Sequence, residues 1–342
     1  MCGLAGIVGP GADAEASRAV LGAMLDLLAH RGPDDAYRMA GPGFAVGARR
    51  LSMIDLDEGR QPMANEAGEV IASLNGEIYN DDELRRRLRE QGHRFRTRSD
   101  TEVVLRLYEQ EGPAFLEHLE GMFALSVWDA RSRTLLLARD RLGEKPLMWF
   151  EHGDRLVYAS EWRSLARHPD APREADTDAA ALYLLHRFVP APRTAVRGVA
   201  RLAPGHVLTW RDGRTDVRAY WTLPPPAAPG HERRSRAEAA AEVREGLERS
   251  VRSRLRGDVP VGVFLSGGLD SAGVAALAAR EGPLVTFTLR PADADFDEGE
   301  GARATAQALG AEHHEVRVAP DDLVRGFEEI FERVDEPIGD SS

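Results

Sequence analysis

The run Leu223-Pro224-Pro225-Pro226-Ala227-Ala228-Pro229-Gly230 separates two stretches of different texture. Proline fixes φ and removes the backbone donor, so such a run joins neither helix nor sheet and reads as a stiff linker between domains. Ahead of it, short apolar segments pair as hairpins, 122–128 with 134–138 and 147–150 with 156–159, and strands are expected at 4–8, 44–46 and 70–74. Helices fall between them. One is expected after a cap at Asp13, with Val20, Met24 and Leu28 at helical spacing; a second follows Asn80 with Leu84 and Leu88 inward; a third is capped by Asp100 with Val103, Val104 and Leu107 inward. Behind the linker, Ser235 and Glu238 form a capping box for a helix lined by Val243, Leu247, Val251 and Leu255. Strands at 261–265, 284–289 and 314–318 then alternate with helices at 272–280, 301–309 and 321–334, the pattern of a parallel sheet with crossover helices.

A length of 342 residues exceeds what one core usually serves, and 43% apolar residues suffice for two. The formal charge of −12 opposes nucleic acid and anionic membrane as partners. No segment approaches the ~20 apolar residues of a membrane span. One cysteine, Cys2, excludes intrachain disulfides, and the first residues lack the basic and apolar regions of a signal peptide, so a cytoplasmic setting is expected.

Cys2 carries the first chemistry. With the residue before it removed, it presents a thiol and a free α-amine on one Cα, titrating near ~8.5 and ~8 respectively, so the amine can take the thiol proton without a distant histidine. The following Gly3-Leu4-Ala5-Gly6-Ile7-Val8 reads as a buried strand that holds this end inside the protein. Just past the strand expected at 70–74, the Asn75 amide and the Gly76 N–H can converge on one oxygen as an oxyanion hole, although Asn-Gly also marks a plain turn. Arg50 with the acids Glu77 and Asp100 is the charge set that an α-amino acid requires; each taken singly also fits an ordinary surface.

In the second stretch, Ser266-Gly267-Gly268-Leu269-Asp270-Ser271 joins an apolar strand to a helix. Its glycines let backbone N–H groups approach an anion at a helix N-terminus, the serines add donors, and Asp270 can hold Mg²⁺. It lacks a Walker lysine, and a generic tight turn is the other reading. Of 44 basic residues only Lys145 is a lysine, which fits either a confined site for a compact ammonium at that position or chance retention of one lysine codon.

Arg31-Gly32-Pro33-Asp34, Arg50-Leu51-Ser52, Asn75-Gly76-Glu77-Ile78-Tyr79-Asn80, Ser99-Asp100-Thr101-Glu102, Ala138-Arg139-Asp140, the Ser266-to-Ser271 loop and Asp335-Glu336-Pro337 together resemble the glutamine-dependent asparagine synthetases along essentially the whole chain. The resemblance implies an α+β N-terminal-nucleophile hydrolase, two antiparallel sheets between helices, over 2–168. It implies a connecting segment and Pro-rich linker over 169–230, and the start of an α/β parallel-sheet ATP-pyrophosphatase domain over 231–342. It makes Cys2 the nucleophile, Asn75 and Gly76 the oxyanion donors, and Arg50, Glu77 and Asp100 the glutamine clamp, with Leu51, Ser52, Met53 and Ile54 lining the pocket. Leu265 and Leu289 are expected to flank adenine, with Ser266, Gly267, Gly268, Asp270 and Ser271 on the phosphates and Asp270 on the metal. The implied reaction is ligation: ATP-dependent amidation of aspartate with ammonia from glutamine, ATP and Mg²⁺ serving as cofactors. A homodimer is an open expectation.

Members of the family continue into a second acidic, glycine-rich motif, so the synthetase half is expected to be incomplete and its activity in this chain is in doubt. An amidotransferase of the same architecture acting on another carboxylate in natural-product assembly, a glutaminase-only chain and a non-catalytic binding remnant are the alternatives.

Overall fold

The computed structural model describes residues 2–225, 235–291 and 297–339. They form two compact units, Met1–Leu223 with Val334–Ser342, and Pro224–Arg333. The part of the proline-rich run from Pro226 onward lies outside the described residues.

The first unit begins with β1 (Gly3–Val8), buried along its whole length. It pairs antiparallel on one side with β3 (Phe44–Arg50) and on the other with β9 (Arg155–Ala159). Added on the outer edges are β2 (Asp35–Gly41) beside β3, β8 (Met148–His152) beside β9, and β10 (Ala200–Arg201), giving the order β10-β8-β9-β1-β3-β2. The facing sheet runs β12-β11-β7-β6-β5-β4, built from β4 (Met63–Ala64), β5 (Val70–Ile78), β6 (Gly121–Asp129), β7 (Thr134–Arg139), β11 (His206–Arg211) and β12 (Arg214–Ala219).

Period-two burial explains how these layers hold together. Leu4 and Val8 of β1 pack with Val46, Trp128, Leu137, Tyr158 and Leu208 in a core between the sheets, where Phe44 stacks on Trp128 at 5.4 Å. Ala5 and Ile7 face the other way, against Leu21, Met24, Leu25 and Leu28 of helix α1 (Glu15–Asp26) and its end. On the opposite side, α2 (Asp81–Glu90) and α3 (Asp100–Glu111) lay Leu84, Leu88, Val103, Val104 and Leu107 on Val70, Ala72 and Leu74 of β5. The result is the expected pair of antiparallel sheets between helices. Two short helices, α4 (Trp162–Leu165) and α5 (Thr177–His186), follow β9.

Local details depart from the sequence reading. Asp13 does not cap α1: Ala14 is the cap, and the Asp13 carbonyl accepts from Arg18 Nε at 2.9 Å. Nor does Asp100 cap α3; Ser99 does, while the Asp100 carboxylate turns to β5 and accepts from the Ile78 N–H at 3.0 Å. Where a connecting segment is expected, β10, β11 and β12 complete both sheets. Asp212 and Gly213, both with positive φ, make the two-residue turn between β11 and β12, a hairpin signal that the sequence does carry.

The second unit contains α6 (Arg236–Arg254), β13 (Gly262–Phe264), α7 (Leu269–Ala278), β14 (Val285–Pro291), α8 (Gly299–Leu309), β15 (Glu312–Val318) and α9 (Pro320–Arg333). Its three strands are parallel in the order β13-β14-β15, and the Ser235–Glu238 capping box opens α6 as expected. The core gathers Val251, Leu265, Ala275, Ala278, Leu284, Ala302 and Ala306 on one face of the sheet. Phe264 and Leu289 on the other face are exposed, as are Val243 and Leu247 of α6. No helix among the described residues is long and apolar enough to cross a membrane.

Residues 206–219 carry inter-sheet core side chains. Replacing the fully buried Leu208 with Ala is therefore expected to destabilise the first unit by about 2–5 kcal/mol. A shift below 1 kcal/mol in the unfolding transition assigned to that unit would place the hairpin outside its core.

Candidate active site

Cys2 is buried at the head of β1, with its thiol directed to the Leu51 carbonyl at a long 3.9 Å. Its own carbonyl accepts from Arg31 Nε at 3.0 Å. Burial pushes the thiol up, the hydrogen bond to Leu51 opposes this, and the charges of Glu77 and Asp100 push the same way as burial. A thiol in this setting needs a base of its own to become a thiolate at neutral pH.

Asn75 and Gly76 lie within β5, not beyond its end, because the ladder to β6 continues through Asn75↔Ala124, Gly76↔Phe123 and Glu77↔Met122. Asn75 is fully buried, and among the described residues neither its amide nitrogen nor its amide oxygen has a hydrogen-bond partner. Such an orphan costs about 1–3 kcal/mol in a purely structural setting. Gly76 has φ +145°, and a Cβ there would lie 1.9 Å from the Met122 carbonyl oxygen, so no other residue fits.

Glu77 and Asp100 meet as a hydrogen-bonded carboxyl pair. Burial pushes both up. The Asp100 charge adds to this for Glu77, while the Ile78 N–H holds Asp100 back, and Asp81 raises both. Two buried acids in contact retain a proton between them, and a ligand ammonium is the natural replacement for it.

Arg50 is buried, but its guanidinium donates to the carbonyls of Leu56 at 3.0 Å, Ile54 at 2.9 Å and Asp55 at 2.7 Å, with Asp35 3.9 Å away. It thus staples the loop that follows Leu51, Ser52 and Met53, and Ser52 N–H is anchored on Asp34 at 2.8 Å. Lys145 is buried as well, in the electrostatic neighbourhood of Glu144, Arg31, Asp140 and Glu77, and burial pushes its ammonium down. The Asp140 carboxylate fixes that turn by accepting from the N–H groups of Leu142, Glu144 and Lys145 and, across to β6, of Phe123. The support that Arg31 gives Cys2 comes from 29 residues away along the chain, so only the tertiary structure shows it.

In the second unit, Ser266, Gly267 and Gly268 link β13 to α7, whose cap Gly268 contributes no side-chain bond, leaving the helix N-terminus open. Ser266 and Ser271 hydroxyls bond each other at 2.8 Å, and Gly268 N–H donates to Ser266 Oγ at 3.2 Å. Gly267 N–H donates to a Glu298 carboxylate oxygen at 3.1 Å, so an anionic oxygen already sits on this loop. Leu289 is exposed, whereas Leu265 is buried in the core and its N–H is committed to Phe287 O at 2.8 Å. Asp270 is exposed on the first turn of α7. Among the described residues no group of three or more His, Cys, Asp or Glu is arranged to hold a metal ion, so the donor set falls short of a protein-held Mg²⁺ site.

Because the obstacle at Gly76 is backbone, Gly76→Ala must part β5 from β6 locally. It is expected to lower stability by about 1–3 kcal/mol in denaturant unfolding. An unchanged midpoint would show that the strands accommodate a Cβ at this position.

The description "Glutamine amidotransferase domain" matches residues 1–221 and "Asparagine synthase" matches residues 242–342. "Asparagine synthetase [glutamine-hydrolyzing] 3" of Bacillus subtilis is 34% identical over 350 residues, covering 96% of this chain and 56% of that protein. A "Putative asparagine synthetase [glutamine-hydrolyzing]" of Mycobacterium tuberculosis is 38% identical over 363 residues, covering 99% of this chain and 55% of its own length. Among solved structures, the glutamine phosphoribosylpyrophosphate amidotransferase of B. subtilis aligns with a TM-score of 0.48 at 18% identity, covering 92% of this chain and 65% of that one. The chain spans about half the length of the curated relatives it matches. It belongs to the glutamine amidotransferase domain family through residues 1–221, joined through residues 242–342 to an asparagine synthase segment, the two-part plan of the glutamine-hydrolysing asparagine synthetases.

Proposed function

We propose that the first unit hydrolyses glutamine at Cys2 and that the ammonia so released amidates the side-chain carboxylate of aspartate, activated by ATP, to give asparagine. The observation that carries the first half is the fully buried Asn75 amide with both polar atoms unpartnered, two residues before the Glu77 carboxyl on the same strand. A structural asparagine pairs its amide. One kept unpaired at 0% exposure is suited to an oxyanion that forms only during reaction.

The reaction follows from the chain's own groups. With the residue before Cys2 removed, its free α-amine takes the thiol proton and Sγ attacks the side-chain amide carbon of glutamine. The resulting oxyanion is met by Asn75 Nδ2 and the Gly76 N–H. The protonated amine then gives its proton to the departing nitrogen, which leaves as ammonia, and a thioester remains on Cys2. Water, deprotonated by the same amine, releases glutamate. The substrate's α-ammonium replaces the proton shared by Glu77 and Asp100, and Arg50 supplies positive charge for its α-carboxylate beside the Leu51-to-Ile54 backbone.

In the second unit, the N–H groups of Gly267 and Gly268 with the Ser266 and Ser271 hydroxyls receive ATP phosphates where the Glu298 carboxylate now lies, and Leu289 offers an apolar surface to adenine. Leu265 contributes from the core behind the loop. Asp270, on the first turn of α7, is the acid of this loop that would face Mg²⁺ carried by the phosphates. The reaction is placed in the cytoplasm, which supplies ATP and keeps a catalytic thiol reduced.

Processing should decide activity. Protein beginning at Cys2 is expected to turn glutamine into glutamate, while protein with Met1 retained and a Cys2→Ala variant should each fall by at least about 100-fold. Equal rates from all three, in a direct amino-acid assay, would remove the N-terminal-nucleophile mechanism.

The carboxyl pair sets a pH dependence. Both groups are raised, Glu77 to about 8 and Asp100 to about 6, and the substrate ammonium binds their ionised form. The KM for glutamine is therefore expected to fall as pH rises from about 6 to about 8, and this trend should disappear in Glu77→Gln. A KM independent of pH across that window in the unaltered protein would place the ammonium elsewhere.

A further inference from the structure

A nucleophile at a chain end is tethered on one side only, so the relative placement of its thiol and its amine depends on what grips its carbonyl. In this unit Arg31 grips it: Nε donates to Cys2 O at 3.0 Å while Nη1 donates to Glu161 Oε1 at 2.8 Å. The same Glu161 oxygen lies 3.0 Å from His30 Nε2, and the other is 3.2 Å from Arg163 Nε. Glu161 is 4% exposed, so its charge is held in a poorly solvated place between three basic side chains. Its neighbour Ser160 locks β1 from the same side, accepting from the Leu4 N–H at 2.9 Å and donating its own N–H to Leu4 O at 2.9 Å.

The turn bearing Ser160 and Glu161 is itself clasped from far along the chain. The Asp335 carboxylate accepts from the backbone N–H groups of Trp162 and Arg163, the latter at 2.9 Å, and lies 3.8 Å from Arg163 Nε. Glu336 pairs with Arg201 beside it. Val334–Ser342 belongs to the same compact unit as Cys2. Asp335-Glu336-Pro337 is therefore occupied with the first unit, and the glutaminase chemistry described above makes no use of it.

We propose that Glu161 is a positioning residue for the Cys2 nucleophile, setting Arg31 on the Cys2 carbonyl, and that Asp335 holds the Glu161 turn in place, so that the Asp335-Glu336 segment tunes glutamine hydrolysis. The proposal rests on the glutaminase reading. Neither acid touches glutamine; each acts on the geometry of the Cys2 amine and thiol, where a displacement on the order of 1 Å costs about 100-fold in rate.

The test uses the full chain processed to begin at Cys2. In Glu161→Gln, kcat for glutamine hydrolysis is expected to fall about 10- to 100-fold with KM within about twofold, because the groups holding glutamine are elsewhere. Glu161→Asp should recover part of the loss. Asp335→Asn should lower kcat by a smaller factor in the same sense, and the double variant should be no worse than Glu161→Gln alone, since both act through one turn.

Cys2 is the one cysteine in the chain, so its alkylation by iodoacetamide can be followed against pH without a substrate. The profile should shift in Glu161→Gln while the unfolding midpoint of the unit stays in place. An unaltered kcat and alkylation profile in Glu161→Gln would overturn the proposal, as would losses in the two single variants that simply multiply. A merely structural role would appear as a lower unfolding midpoint with kcat per folded molecule unchanged, which also overturns it. If the unaltered processed chain does not hydrolyse glutamine, the glutaminase reading fails by itself, and the alkylation profile still decides whether Glu161 positions Cys2.

Discussion

The first unit depends on burying its first strand. Cys2, proposed as a nucleophile that uses its own amine as a base, stands immediately before that strand and in this role has to sit still. The structure solves this by making the first strand a central one. β1 lies between β3 and β9, one face turned to the inter-sheet core and the other to α1. Gly3 and Gly6 make this possible, since a Cβ would lie 2.8 Å from Leu28 Cβ at the first and 2.4 Å from the Tyr158 ring at the second. The order of the layers follows from having to cover this strand on both faces.

Once β1 is held, β5 brings the remaining groups to one place. Residues two apart on a strand share a face, so Asn75 and Glu77 come as a pair, and the positive φ of Gly76 lets the backbone between them pass close to Met122 O. Asp100 reaches the same point from the start of α3 because its carboxylate caps the Ile78 amide and not its own helix. Here burial and the Asp100 charge raise the Glu77 pKa, both acids raise that of Cys2, and the Asn75 amide remains unpaired, a combination that a core selected for stability alone avoids and a binding site exploits.

The second unit solves a simpler problem. Three parallel strands carry their loops to one end, and the glycines after β13 leave amides of α7 open to an anion, a role the Glu298 carboxylate fills at Gly267. One face of the sheet is packed by α7 and α8, while Phe264 and Leu289 stand exposed on the other.

Much of this was legible in the residues. Hairpins in the first half, strand–helix alternation in the second, the capping box at Ser235 and the phosphate-type loop are local patterns, and local patterns survive without a tertiary structure. Cys2, Asn75, Gly76, Glu77 and Asp100 could be singled out as chemical sets, a thiol with an amine, two donors for one oxygen and two acids with Arg50, although taken singly most of them also fit a turn or an ordinary surface. The tertiary structure alone decided which partner each group meets: that Asp100 turns to β5 and leaves capping to Ser99, that Arg50 is tied to the carbonyls of its own loop, that residues 200–219 complete two sheets instead of linking domains, and that Val243 and Leu247 remain exposed. The physical reason is the same in each case. Propensity and periodicity describe a segment's own energy, whereas which carboxylate meets which amide, and which apolar face finds a cover, is settled by tertiary packing, at separations from 22 residues for Asp100 and Ile78 to 172 for Asp335 and Arg163.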